Sequence, residues 1–136
     1  MKEALERLSK NGNSPILVVD DDGDNLLLAR FVVESLGLKC LVCSDSQQAL
    51  ALINKYVPSL ILLNIVMPHI SGIEIARQIK QNPKTKQIPL IAVTGLTRRH
   101  EKDLIFAAGF NDYIRKPYLI EELEIKINQF LQVNCD

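Results

Sequence analysis

The sequence predicts an α/β domain built on a doubly wound, five-stranded parallel sheet in the order 2-1-3-4-5, with helices on both faces. Three observations predict it. Five short apolar or β-branched runs alternate with stretches of helical spacing, the pattern imposed by parallel strands joined through helical crossovers. Three runs are apolar at nearly every position and two are mixed, the contrast expected between central strands buried on both faces and strands at the edges. The length, 136 residues with 47% hydrophobic and 24% charged, suits one core and is too short for two.

The strands, in order, are ILVVD at 16–20, KCLVC at 39–43, SLILLN at 59–64, PLIAVT at 89–94 and DYIRK at 112–116. The first, third and fourth are the apolar, central ones. Between them, apolar residues recur three and four apart. Leu26, Ala29, Phe31 and Val33 mark the first helix, Ala49, Leu50, Leu52 and Ile53 the second, and Ile73, Ala76 and Ile79 the third. Leu104, Ile105, Ala107 and Ala108 mark a fourth, and Leu123, Ile125, Ile127, Phe130 and Leu131 a fifth. Ser44 with Gln47 and Ser71 with Glu74 match the capping box at a helix start, while Gly37 and Gly109 stop the first and fourth helices. Right-handed crossovers then favour the flavodoxin-like strand order among five-stranded solutions. One domain spans residues 14–136. Residues 1–13 form an extension in which Ala4, Leu5 and Leu8 suit a short helix, ended by NGNSP.

Composition excludes several function classes. Sixteen basic residues balance sixteen acidic ones, so no global field draws the chain to nucleic acid or to an anionic membrane. No apolar run reaches the roughly 18 to 20 residues that cross a bilayer. The opening MKEALERLSK alternates charges with leucines where a signal peptide needs an unbroken apolar stretch. Three cysteines make no disulfide framework and suit a reducing compartment. The expected location is the cytoplasm.

In a doubly wound sheet the binding crevice opens beyond the carboxyl ends of the strands, where strand order reverses. Asp20, Asp21 and Asp22 end or follow the first strand, Asn64 ends the third, Thr94 the fourth, and Lys116 the fifth, just before Pro117. Neighbouring carboxylates raise one another's proton affinity unless a cation opposes them. That calls for a metal or for Lys116. A hard cation such as magnesium would take Asp20, Asp21 and main-chain oxygen near Val66, whereas Asp22 and Asp24 read as partners of a helix N-terminus.

The ordered series ILVVDDD, LILLNIVMPHISG, IAVTG and DYIRKP resembles the CheY-like receiver domain of two-component response regulators, from about residue 14 to the end. The resemblance implies magnesium held by Asp20 and Asp21 with the Val66 carbonyl, and phosphoryl contacts from Thr94 and Lys116. It also implies an aromatic switch at Tyr113, a loop closed by Met67, Pro68 and Gly72, and a cis Lys116–Pro117 peptide. Partners would be a sensor histidine kinase or a downstream signalling protein, with no nucleic acid or membrane. No enzymatic activity is expected, and a module that ends soon after its last helix would signal alone, by contact.

One position departs from that pattern. Where the family carries its phosphoacceptor aspartate, this chain has Asn64. A carboxylate oxygen attacks phosphorus. A carboxamide carries no negative charge, and its nitrogen lone pair is delocalised into the carbonyl. Asn64 is therefore expected to stay unphosphorylated, magnesium to bind weakly or not at all, and Lys116 to pair with Asp21. Either a natural pseudo-receiver or an engineered aspartate-to-asparagine change would carry this residue.

An alternative of another class is a haloacid dehalogenase-type phosphatase, with Asp20 of VVDDDGDN as nucleophile and Asp22 as acid and base. Glu121 and Glu122 follow Lys116 too closely to supply that family's later acidic pair. A nucleotide or flavin binder would need a phosphate loop after the first strand that is missing here. Arg98, Arg99, His100 and Lys102 read as a basic turn that faces water or meets a partner. Cys40 and Cys43, three apart in a strand, point to opposite faces and read as packing residues. His69, in the loop after the third strand, reads as a surface residue or as one that approaches the site, and without a partner ligand the surface reading is favoured.

Overall fold

Along each central strand, alternate side chains enter different halves of the core, because successive residues of a strand point to opposite faces. The computed structural model describes residues 14–95 and 99–131. Its strands are β1 (Ile16–Val19), β2 (Cys40–Cys43), β3 (Leu60–Asn64), β4 (Leu90–Thr94) and β5 (Asp112–Arg115), all parallel and ordered β2-β1-β3-β4-β5. The register sets Ile16 against Cys40 on one side and Leu60 on the other, Ile61 against Leu90, and Ile91 against Asp112. This is the predicted fold and strand order.

Five helices connect the strands: α1 (Gly23–Ser35), α2 (Ser46–Tyr56), α3 (Gly72–Gln81), α4 (Arg99–Ala107) and α5 (Ile120–Leu131). One face of the sheet, with Leu17, Ile61 and Leu63, packs on Ile53 of α2, Ile75 of α3 and Ile105 of α4. The other face, with Val18, Leu62 and Ile91, packs on Val33 of α1 and Leu123 of α5. Burying each such Leu, Ile or Val removes apolar surface worth about 1.5 to 3 kcal/mol from water. All five residues of β3 are buried, including the polar Asn64, and burying an amide is costly unless it is hydrogen-bonded.

Glycine ends two helices as expected. Gly37 (φ +80°) donates to the Glu34 carbonyl while Leu38 donates to Val33. Gly109 (φ +107°) donates to Phe106 while Phe110 donates to Ile105. Both pairs form the two-bond closure that needs a left-handed residue.

Some local expectations shift. The cap of α2 is Asp45, which accepts from the Gln47 amide at 2.9 Å, not Ser44. Ser71 does cap α3, but Glu74 accepts from the Gln78 side chain instead of reaching back to complete a box. Phe31 is 59% exposed whereas Val32 is fully buried; two positions from both Ala29 and Val33, Phe31 falls on the opposite side of the helix. Leu104 and Ile125 likewise face outward. The expected helix within residues 1–13 and the basic residue Arg98 lie outside the described residues. Among the described residues no helix is long and apolar enough to cross a membrane.

Candidate functional site

Strand ends place the polar groups. β1 stops at Val19, so Asp20 projects from its carboxyl end at 3% exposure, and Asp21 follows on the surface. One oxygen of Asp20 (Oδ1) accepts the Asp22 backbone amide at 3.0 Å, which turns the chain sharply into α1. Asp22 itself caps that helix, accepting from Asp24 at 2.8 Å and Asn25 at 3.2 Å. Its carboxylate is thus committed to the helix start, as expected, which leaves it no free geometry for the acid and base role of the phosphatase alternative.

Asn64 lies at the centre. Its amide nitrogen Nδ2 is 2.9 Å from the Val66 carbonyl, 3.2 Å from Asp21 Oδ1 and 3.3 Å from Asp20 Oδ1. Its oxygen Oδ1 accepts from Lys116 Nζ at 3.1 Å, and the same ammonium reaches Asp20 Oδ2 at 3.1 Å. Only this amide orientation sets donor against acceptor at every contact. The three oxygens named from the sequence as a metal set therefore converge on one partly positive nitrogen. Lys116 pairs with Asp20, not with Asp21 as expected.

Gly72 builds the floor of this site. Its amide donates to the Ile65 carbonyl at 2.8 Å, and a Cβ there would sit inside contact distance of the Asn64 backbone oxygen. Thr94 is 1% exposed at the end of β4, and its carbonyl accepts the Lys116 amide at 2.8 Å. The Lys116–Pro117 peptide is cis. Tyr113 stands apart from these groups on β5, half-buried, its ring 6.0 Å from Phe106 in an edge contact and 5.6 Å from Lys102 Nζ.

One neighbour escaped the sequence reading. Burial pushes the Tyr118 hydroxyl above its ordinary range, and the Asp20 charge adds to the shift. Tyr118 follows the lysine–proline pair directly, and that adjacency was the available signal. His69 is on the surface, as expected, and with φ +72° helps Asp21, Ser44 and Met67 to line an open recess beside the site. Cys40 and Cys43 are both free thiols in β2.

Oxygen donors of this kind suit a hard cation. The fit is contested by Asn64, since presenting its oxygen to the cation would mean turning the amide and giving up the Lys116 bond. Asp20 and Asp21 against Lys116 leave one net negative charge, where a third carboxylate would leave two.

A family model for the response regulator receiver domain matches residues 16–128. The phosphate regulon transcriptional regulatory protein PhoB of Pseudomonas aeruginosa is 36% identical over 117 residues, which cover 86% of this chain and 51% of that protein. The polar-differentiation response regulator DivK of Brucella anthropi is 29% identical over 116 residues, covering 85% of this chain and 94% of DivK. A putative response regulator from Chloroflexus aurantiacus has the same fold, with a TM-score of 0.82 at 28% identity over 88% of this chain and 98% of that one. These likenesses give the phosphatase alternative no support. With the receiver strand order, an acidic crevice at its switch point and a match across most of its length, the chain belongs to the response regulator receiver domain family of two-component signalling.

Proposed function

We propose that residues 14–136 form a receiver module that takes no phosphoryl group while residue 64 is an asparagine, and that acts through protein contact, without turnover. Receiver domains interact with histidine kinases and downstream proteins and bind magnesium at their acidic pocket. One observation carries the reading. The Asn64 amide faces all three candidate metal oxygens with its nitrogen and engages Lys116 with its oxygen, so the pocket is satisfied from within.

Asp20, Asp21 and the Val66 carbonyl are the residues that would hold magnesium, which when bound offsets the charge of carboxylate and phosphoryl oxygens. Binding is weak in this account, because the cation competes with amide protons already seated on its oxygens. Lys116 and Thr94 are the groups placed to meet a phosphoryl oxygen, and Tyr113 is the aromatic that would report the state of the pocket to a partner. Lys102, which lies over the Tyr113 ring, extends that surface, and His100 is exposed on the same helix, α4. Balanced charge argues for protein partners, not nucleic acid or membrane, and the module suits the cytoplasm.

A mass measurement tests this. Freshly prepared protein treated with acetyl phosphate and magnesium is expected to keep its mass, while Asn64→Asp gains one phosphoryl group. Phosphoryl transfer to the parent chain at residue 64 overturns the proposal.

A further inference from the structure

We propose that residues 2–10 fold back as a short helix into a groove between α1 and the edge strand β2, and so close that side of the sheet to other chains. The contact is separate from the chemistry at Asn64.

One stripe of α1 and the outer side of β2 build the groove. Leu27, Arg30, Phe31 and Glu34 recur three and four residues apart and so share a stripe of the helix. Leu27, Phe31 and Val42 of β2 are all exposed. Two recesses follow the groove. The upper one, about 210 Å³, is lined by Gly23, Leu26, Leu27, Arg30 and Val42. The lower one, about 420 Å³, is lined by Pro15, Glu34, Lys39, Cys40, Leu41 and Tyr56. β2 pairs with β1 on one side and, among the described residues, with no strand on the other. An open strand edge beside exposed apolar side chains is a template for another chain, and covering it with a helix or loop is one way that native folds manage it.

The point at which the chain enters the fold selects the occupant. Pro15 lines the lower recess, and the Ile16 amide donates to the Lys39 carbonyl at 2.9 Å, so residues 1–13 join the fold at the foot of the groove. Asn11, Gly12 and Asn13 are turn formers that let the chain double back. As a helix, residues 2–10 are about 13 Å long, against about 10 Å from Leu27 to Glu34. Ala4, Leu5 and Leu8 then share one face, which matches the apolar Leu27, Phe31 and Val42.

Charge agrees with this direction. A segment that enters at the foot and doubles back lies parallel to α1, which sets Glu3 beside Arg30 and Arg7 beside Glu34. Both pairs of positions are four residues apart, and the signs are opposite. Lys39, exposed at the foot, stays in water. Because the segment is tethered beside the groove, its effective concentration there favours it over a second copy of the chain.

Nuclear Overhauser contacts in the full chain, with leucine methyls and phenylalanine rings isotopically labelled, test the proposal. Contacts are expected from the Leu5 or Leu8 methyls to the Phe31 ring within one copy, and none between separately labelled copies that have been mixed. Thiol accessibility gives a second readout, since Cys40 lines the lower recess. Maleimide labelling, mapped by peptide mass so that Cys43 and Cys135 are scored apart, is expected to modify Cys40 about tenfold faster in Leu5→Ser/Leu8→Ser than in the parent. Both leucines precede the family match at residues 16–128, so the variant is expected to keep the parent's circular dichroism in the sheet and helix region. Contacts that appear only between copies place a second chain in the groove and overturn the proposal. No contacts at all, which leaves the groove open to another protein, or an equal Cys40 rate in parent and variant, overturns it as well.

Discussion

The two ends of the sheet use their polar side chains differently. At the amino ends of the strands, the Lys126–Asp112 ion pair at 2.7 Å excepted, they serve the backbone: Asn111 Oδ1 accepts the Leu90 amide at 2.9 Å, and the Ser59 hydroxyl donates to the Ser14 carbonyl at 3.1 Å. Lys80 belongs to this group, donating to the Lys86 and Ile88 carbonyls at 3.0 and 2.8 Å, and burial lowers its pKa. At the carboxyl ends the side chains chiefly bind one another, with Asp20, Asp21, Asn64 and Lys116 in one connected set. A polar group that completes a main-chain bond finishes the fold. A partly buried network of side chains, by contrast, is costly to desolvate, and the fold alone does not call for it.

Breaking one member at each end puts numbers on the contrast. Lys116→Met leaves Asp20, 3% exposed, without its ammonium. Because the lysine side chain is itself 24% exposed, the expected loss is about 2 kcal/mol, below that of a fully buried pair. Asn111→Ala removes a single neutral hydrogen bond and is expected to cost about 1 kcal/mol. Chemical denaturation of both variants measures the difference, and an equal or reversed order would erase the distinction between the two ends.

A smaller effect sharpens the comparison at the amino end of β2. Burial, reinforced by the Glu34 charge, raises the Cys40 thiol from 9.0 to about 11. The folded state therefore holds this proton more tightly than the unfolded chain, and the sign follows. Its contribution to stability is complete below about pH 9 and is lost as pH rises through about 11. Cys40→Ala is expected to flatten that part of the stability profile, as followed by denaturation across the alkaline range; a profile with the same slope in both proteins refutes it.

Much of this was legible in the sequence, for a physical reason. The runs ILVVD, SLILLN and PLIAVT are apolar at nearly every position because both faces of a central parallel strand are buried, and that pattern fixes which strands lie inside. The switch point then follows, and with it the convergence of Asp20, Asp21, Asn64 and Lys116. Helix faces were less legible where apolar residues crowd together. LLLARFVV offers more hydrophobic positions than one face accepts, and only tertiary packing selects Val32 over Phe31. Caps shifted by one residue because SDS places two good capping residues, Ser44 and Asp45, side by side. The choice of Lys116 for Asp20 over Asp21, and the turning of the Asn64 nitrogen toward the acids, depend on side-chain orientations set jointly by three strands. No single segment carries that information.

The central claim is that the Asn64 amide occupies the oxygens a cation would use. Magnesium titration followed by thermal unfolding tests it most directly, since a ligand that binds the native state raises Tm as its concentration rises above Kd. The account predicts little or no rise for the freshly prepared parent and a clear, saturable rise for Asn64→Asp, where a third carboxylate replaces the amide protons. An equal rise in both proteins, abolished in each by Asp21→Ala, would contradict it.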